Sequence, residues 1–149
     1  MPKILYIDMD NVLVDFPSSF RKIDPKLHEE YKDKMDEVPG IFSHMDPIED
    51  AIESYKKLSG HFVTYILSTS PWENPSAWSD KLNWIKKYLS EPAKKRLILS
   101  HHKHLNIGDF LVDDREKNGA IDFKGELILF GSAKFPDWKV VTAYLMERR

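Results

Sequence analysis

The chain has 149 residues, 42% of them hydrophobic and 31% charged, with 22 lysines and arginines against 24 acids and a net charge of −2. This is ordinary globular usage, which excludes disorder, collagen-like repeats and coiled coil, and a chain of this size is expected to form one domain with a core that needs no staple. With no cysteine, disulfides, thiolate metal sites and a cysteine nucleophile are excluded; the balanced charge argues against nucleic acid or an anionic membrane as a partner held by bulk electrostatics.

The first apolar run, Ile4-Leu5-Tyr6-Ile7, is too short for a signal-peptide core or a membrane span. The expectation is a soluble, cytoplasmic protein. Lys3 to Met9 reads as a buried strand that ends in acids. Leu27, Tyr31 and Met35 then suggest a helix capped by Asp24 with Pro25 behind it. Ile48, Ala51, Ile52, Tyr55 and Leu58 recur at helical spacing, with Asp46 as N-cap, Pro47 in the first turn, Glu49 completing a capping box and Gly60 at the end. Phe62 to Leu67 reads as a second strand. Trp78, Leu82, Ile85 and Leu89 form the next helical stripe, opened by Asn74 and Pro75. Arg96–Leu99, Phe110–Val112 and Leu127–Phe130 read as three more strands, and Trp138, Val141, Tyr144 and Leu145 as a last helix.

Near-continuous apolar strands belong to a sheet covered on both faces, and strands alternating with helices give right-handed βαβ units. The fold class is therefore α/β, with a mostly parallel sheet of about five strands. The stretch from Asp15 to about Met45 is too long for a βα loop. It reads as a small cap inserted over the carboxyl ends of the strands, where ligands of open α/β sheets bind.

Those carboxyl ends carry the chemistry. Asp8 and Asp10 follow the first strand, Ser68, Thr69 and Ser70 the second, Ser100 and Lys103 the third, Asp113 and Asp114 the fourth. Four carboxylates near one point repel, and a divalent cation resolves the conflict. Oxygen ligands without cysteine select a hard ion, Mg²⁺ before Zn²⁺. Lysine and hydroxyls beside it suit phosphate. The pattern is that of a phosphoryl-handling site. Taken singly, Thr69-Ser70 could be a turn, Lys103 a solvated loop residue and Asp113-Asp114 a helix cap; their joint occurrence at successive strand ends favours the site. His101, His102 and His104 have no matching ligand pair elsewhere and read as a loop beside it rather than a metal centre.

Asp8-x-Asp10-x-Val12, Thr69, Lys103 and Asp113-Asp114 resemble the four motifs of haloacid-dehalogenase-type (HAD-like) phosphatases. Within that group the chain is most similar to the 5′(3′)-deoxyribonucleotidases, through Asp8 to Phe16, Pro39 to Phe42 followed by Asp46-Pro47-Ile48, Leu67 to Pro71, Asn83 to Tyr88 and Phe110 to Arg115. Asn11 stands where the group usually has glycine; asparagine tolerates positive φ, so the turn can survive. The segment before Lys103 is Ser-His-His, unlike the Thr-Arg-Asp type familiar in the group.

The resemblance implies a three-layer Rossmann-like fold and assigns roles. Asp8 would be the nucleophile that becomes an aspartyl-phosphate. Asp10 would be general acid and then base, its backbone carbonyl also binding Mg²⁺. Thr69 and Ser70 would donate to the phosphoryl oxygens and Lys103 would neutralise charge. Asp8 and Asp114 would ligate the metal, with Asp113 ligating it or holding one of its waters. The implied substrate is a nucleoside monophosphate, a deoxyribonucleotide with pyrimidine preferred. Phe16 and Phe42 flank the cap and could stack a base, or could simply pack the cap onto the core. Other phosphate esters remain open as substrates, as does the oligomeric state. A receiver-like signalling domain uses similar residues in a different order, its acidic pair after the first strand; a catalytically silent binding module would be expected to have lost a motif residue, and none is lost.

Overall fold

The computed structural model describes residues 1–149. In chain order the elements are β1 (Ile4–Ile7), β2 (Val14–Asp15), α1 (Pro25–Glu30), β3 (Asp46–Pro47), α2 (Ala51–Ser59), β4 (Val63–Ser68), α3 (Pro75–Tyr88), β5 (Leu97–Leu99), β6 (Phe110–Asp113), β7 (Glu126–Leu129) and α4 (Trp138–Met146). The main sheet has the order β5-β4-β1-β6-β7, and all its pairings are parallel. All five expected strands are present, and the first of them lies at the centre of the sheet. β1 and β6 are neighbours, so the two acidic strand ends come together; the Asp8 N–H donates to the Val112 carbonyl at 2.8 Å.

Side chains alternate across a strand, and the two faces are covered unequally. Leu5, Ile7, Ile66, Phe110, Val112 and Ile128 belong to a core of 28 buried residues that also takes Tyr55 and Leu58 of α2, Trp84 and Ile85 of α3, and Trp138 and Val141 of α4. On the opposite face Tyr6, Leu67 and Leu111 meet Ala120 and Phe123 in a buried cluster of 5, edged by half-buried Ile4, Tyr65, Ile98 and Leu127. The expected third layer is therefore built of short 3₁₀ turns, Lys103–Leu105 and Ala120–Asp122, rather than long helices. The core is anchored at β1: cutting fully buried Leu5 or Ile7 to alanine costs about 2–5 kcal/mol.

Two local expectations are corrected. Asp46 does not cap a helix: Asp46 and Pro47 pair antiparallel with Asp15 and Val14. The ladder needs extended backbone there, and α2 starts only after Asp50, at φ +66°. Likewise the stripe on α3 is rotated from the one expected. Its buried residues are Ala77, Lys81, Trp84 and Ile85, whereas Leu82 is 41% exposed. Asn74 does precede Pro75, but its side chain makes no cap. It donates instead to the Asp36 and Val38 carbonyls, each at 2.9 Å, and so ties the start of α3 to the preceding loop.

Between β2 and β3 the chain runs through 3₁₀ turns Phe16–Lys22, Met35–Glu37 and Ile41–Ser43, with α1 among them, Asp24 accepting from the Lys26 N–H and Pro25 in its first turn. The β2–β3 ladder closes the base of this segment. Ser18 Oγ accepts from the Asp46 N–H at 2.9 Å and donates to the Asp15 carbonyl. Far along the chain, Trp138 is wholly buried and its indole N–H donates to the Val12 carbonyl at 2.7 Å.

Candidate active site

β1 ends at Ile7, and the following residues turn sharply. The N–H groups of Val12, Leu13 and Val14 all point at the Met9 carbonyl, at 3.2, 2.9 and 3.0 Å, while Asn11 takes φ +60° and donates its N–H to the Val14 carbonyl. Asparagine is thus in the left-handed conformation the resemblance required of this position. The turn leaves Asp8 and Asp10 beyond the end of the central strand, with Asp8 only 5% exposed.

Lys103 reaches Asp8 from the loop between β5 and β6. Its Nζ lies 3.0 Å from Asp8 Oδ1 and 2.6 Å from Asp113 Oδ2, and all three side chains are buried. The loop is fixed by the Lys103 N–H, which donates to the Asn118 carbonyl at 2.7 Å. Gly119, at φ +83°, makes this approach possible, because a Cβ there would lie 2.2 Å from His104 Nδ1. Asp113 Oδ1 also accepts from the Arg115 N–H at 3.1 Å.

The carboxylates outnumber the cations. Burial, and after it the Asp8 charge, push Asp113 up to about 8 against the pull of Lys103. The same two causes raise Asp114 to about 6. Burial also raises the Asp10 carboxyl, helped by Asp8 and opposed by Lys81. Burial disfavours the Lys103 ammonium, yet Asp8 and Asp113 outweigh it and hold its pKa above the ordinary value. Four acids thus face two ammonium groups, and oxygens of Asp8, Asp113 and Asp114 lie within 4.8 Å of one another. An oxygen-only cluster short of positive charge suits a hard divalent cation.

A cavity of about 590 Å³ opens above this cluster. Asp10, Asn11, Thr69, Asp114, Phe16 and Phe42 line it, and Asp33 and Asp36 reach it from the inserted segment. The structure brings Asp8, Asp10, Lys103, Asp113 and Asp114 together. The hydroxyls are placed less directly. Thr69 Oγ1 donates to the Ser100 carbonyl at 2.6 Å, and Ser70 is fully buried with Oγ unpartnered, behind the cavity surface. Phe16 and Phe42 stack on each other, centroids 5.1 Å apart and planes 13° apart, so no base fits between them. Phe42 is 1% exposed, and Phe16 presents the more accessible ring. His101 lines the cavity beside Trp72 and Trp78, and the histidines contribute to no group of three metal-ligating side chains.

Sequence reasoning missed Lys81. It is wholly buried on α3, 3.1 Å from Asp10 Oδ2. Its signal was a charged residue on the same face as Ala77, Trp84 and Ile85, which a stripe drawn through Leu82 concealed.

Comparison with known proteins identifies the fold and the family. A solved haloacid dehalogenase-like family hydrolase from Xanthomonas campestris superposes with a TM-score of 0.63, covering 98% of this chain and 95% of that one at 8% identity. The fold is thus the Rossmann-like α/β fold of HAD-like hydrolases. The family model described as 5′ nucleotidase, deoxy (pyrimidine), cytosolic type C protein (NT5C) matches residues 25–139. A protein of Vibrio phage KVP40, provisionally named a 5′(3′)-deoxyribonucleotidase, is 54% identical over 142 residues, 95% of this chain and 84% of that protein. A Staphylococcus epidermidis protein of the same name is 30% identical over 92 residues, and the match spans half its length. The chain belongs to the 5′(3′)-deoxyribonucleotidase family and is a hydrolase of phosphomonoesters. The receiver-like reading is thereby set aside.

Proposed function

We propose that the chain is a Mg²⁺-dependent nucleotidase that releases phosphate from deoxyribonucleoside monophosphates, pyrimidine preferred, through a phosphorylated Asp8. The observation that carries the reading is the buried cluster in which Lys103 lies 3.0 Å from Asp8 and 2.6 Å from Asp113, at the foot of a cavity with an aromatic wall.

Asp8 Oδ forms a bond to phosphorus as the bond from phosphorus to the sugar oxygen breaks. Asp10 gives its proton to the departing alkoxide, a role suited to a carboxyl that burial keeps protonated above the ordinary range. In the second half Asp10 takes a proton from water, the water oxygen bonds to phosphorus, and the Asp8–phosphorus bond breaks. Lys103 balances the charge that gathers on Asp8 and the phosphoryl oxygens. Thr69 binds those oxygens after its hydroxyl turns from Ser100, and Ser70, buried behind the cavity surface with its hydroxyl unpartnered, joins it only if the loop shifts. Asp8, Asp114 and the Asp10 carbonyl would hold Mg²⁺, with Asp113 beside it or on one of its waters; the bound ion would neutralise phosphoryl charge and orient the ester for in-line attack. The Asp15–Met45 segment acts as a small cap, and a base stacks on Phe16, with Phe42 backing that ring. Family membership supports the substrate class.

The test is a panel of nucleoside 5′- and 3′-monophosphates and sugar phosphates assayed with Mg²⁺ and with excess chelator. Deoxypyrimidine monophosphates should give the highest kcat/KM, and chelator should abolish turnover. Equal kcat/KM for glucose 6-phosphate would transfer the reading to a general phosphatase of the same fold, and full activity in chelator would remove the metal.

A further inference from the structure

A lysine with no exposed surface is unusual unless each of its protons is used. Lys81 uses all three: its Nζ donates to Asp10 Oδ2 at 3.1 Å, to Ser68 Oγ at 2.8 Å and to the Thr69 carbonyl at 2.7 Å. It also lies 4.8 Å from the centroid of the Phe42 ring. The other oxygen of the same carboxyl, Asp10 Oδ1, is buried without a partner, and Asp10 lines the cavity. The two oxygens of one side chain are therefore inequivalent. One is pinned to a rigid helix and the other is left over.

For stability alone this arrangement is poor. A buried ion pair is often no better than apolar side chains of the same volume, and Lys81 sits among Ala77, Trp84 and Ile85 on a face that methionine or leucine could fill. What an ammonium provides and a methyl cannot is a fixed direction for the carboxyl. Binding Ser68 and Thr69 as well makes α3 and the end of β4 a common reference for Asp10.

We propose that Lys81 is a positioning residue for phosphoester cleavage: by holding Asp10 Oδ2 together with Ser68 and Thr69 it fixes the orientation of the Asp10 carboxyl toward the leaving group. The inference rests on the proton-transfer role given to Asp10 above. Lys81 touches neither substrate nor metal in this scheme, and its effect on the reaction passes through Asp10.

The experiment compares two esters in the full chain with Mg²⁺, reading the burst of first product so that the later hydrolysis of the phosphorylated Asp8 does not enter. A deoxyribonucleoside 5′-monophosphate loses an alkoxide that needs a proton; p-nitrophenyl phosphate loses a phenolate that does not. Lys81→Met should slow the nucleotide burst by about a hundredfold, within the usual worth of a proton donor, with KM changed less than about threefold and the p-nitrophenyl burst nearly kept. In an Asp10→Asn background, Lys81→Met should add no further loss on either ester. That double variant leaves no unpaired buried charge, so it also serves if the single variant fails to fold; Lys81→Gln, which retains a donor, should recover part of the nucleotide rate. An equal slowing of both esters by Lys81→Met, or full additivity with Asp10→Asn, assigns Lys81 to the fold alone and overturns the proposal. Asp10→Asn without preferential loss on the nucleotide overturns the proton-transfer reading itself, and the inference falls with it.

Discussion

On the floor of the cavity, Asp8, Lys103 and Asp113 are buried and hold one another at 3.0 and 2.6 Å. On its wall, Asp33 and Asp36 are exposed, and Phe16, half-buried, stands on a chain of 3₁₀ turns with one short helix. The floor hangs from strands at the centre of a parallel sheet, where backbone ladders fix each Cα. The wall is joined to the core by the two-residue β2–β3 ladder, by Asn74 and by Ser76, whose Oγ accepts from the Gly40 N–H at 2.9 Å, by the Trp84 indole N–H on the Met45 carbonyl, and by Val38, Ile41, Phe42 and Met45, which are buried in the core. In the proposed scheme the reacting groups sit where small displacements are costly, and discrimination falls to the more exposed side chains of the wall.

The sharpest break between the two regions is Asp8→Asn. It removes the proposed attacking oxygen, so turnover should fall by more than about a hundredfold on every ester, as for other residues that act as one unit with their partners. The folded state should persist, checked by a thermal melt. Lys103→Met comes next: kcat should fall by about a hundredfold, comparable to losing one preorganised charge donor. Because Lys103 acts as a point charge, Lys103→Arg should keep part of the activity. Unchanged kinetics in Lys103→Met would return Lys103 to the status of a loop residue.

Proton and metal linkage gives a smaller, graded effect confined to the floor. The carboxyls of Asp113 and Asp114 rise to about 8 and about 6 in the folded chain, above an unfolded value near 3.9. A group whose folded pKa is raised contributes stability that is complete below the unfolded pKa and lost as pH rises through the folded one. In chelator, these two groups should therefore lower the melting temperature between about pH 4 and pH 8. Mg²⁺ should restore it at pH 8 far more than at pH 5, where protons compete for the same oxygens. A Mg²⁺ shift equal at both pH values would contradict this assignment of the cluster.

The wall gives the smallest effect and the only selective one. Phe16→Ala should cost deoxypyrimidine monophosphates about tenfold in kcat/KM, the lower range of base stacking on an aromatic ring, and leave glucose 6-phosphate nearly unchanged. An equal loss on both would make the ring a packing element.

The asymmetry also explains what could be read in advance. Fully buried strands announce themselves as continuous apolar runs, and polar groups at their ends are conspicuous, so Asp8, Asp10, Lys103, Asp113 and Asp114 were all visible before the structure. The positive φ of Asn11 followed from the resemblance, in which glycine usually holds that position. Asp46-Pro47 was misread because a good cap residue followed by proline looks the same whether a helix begins there or a two-residue ladder forms, and only the tertiary partner Val14-Asp15 decides. Lys81 was hidden for a different reason. Helical periodicity assigns lysine to solvent, and the partner that draws it inward lies 71 residues earlier in the chain. The mutual stacking of Phe16 and Phe42 is likewise a distance between separate turns, which no local pattern records.

The hydrogen bond from Trp138 to the Val12 carbonyl joins positions 126 residues apart. Seen along the time axis of synthesis, the turn that shapes the reacting end of β1 is written first and secured almost last. β1 itself waits at the middle of the sheet for β6, which follows it by about a hundred residues. Non-local closure of this kind is slow, and until β6 is in place β1 is paired on its β4 side alone. The turn that follows Asp8 and Asp10 therefore takes one of its ties from the far end of the fold, and a chain cut before Trp138 would lack it.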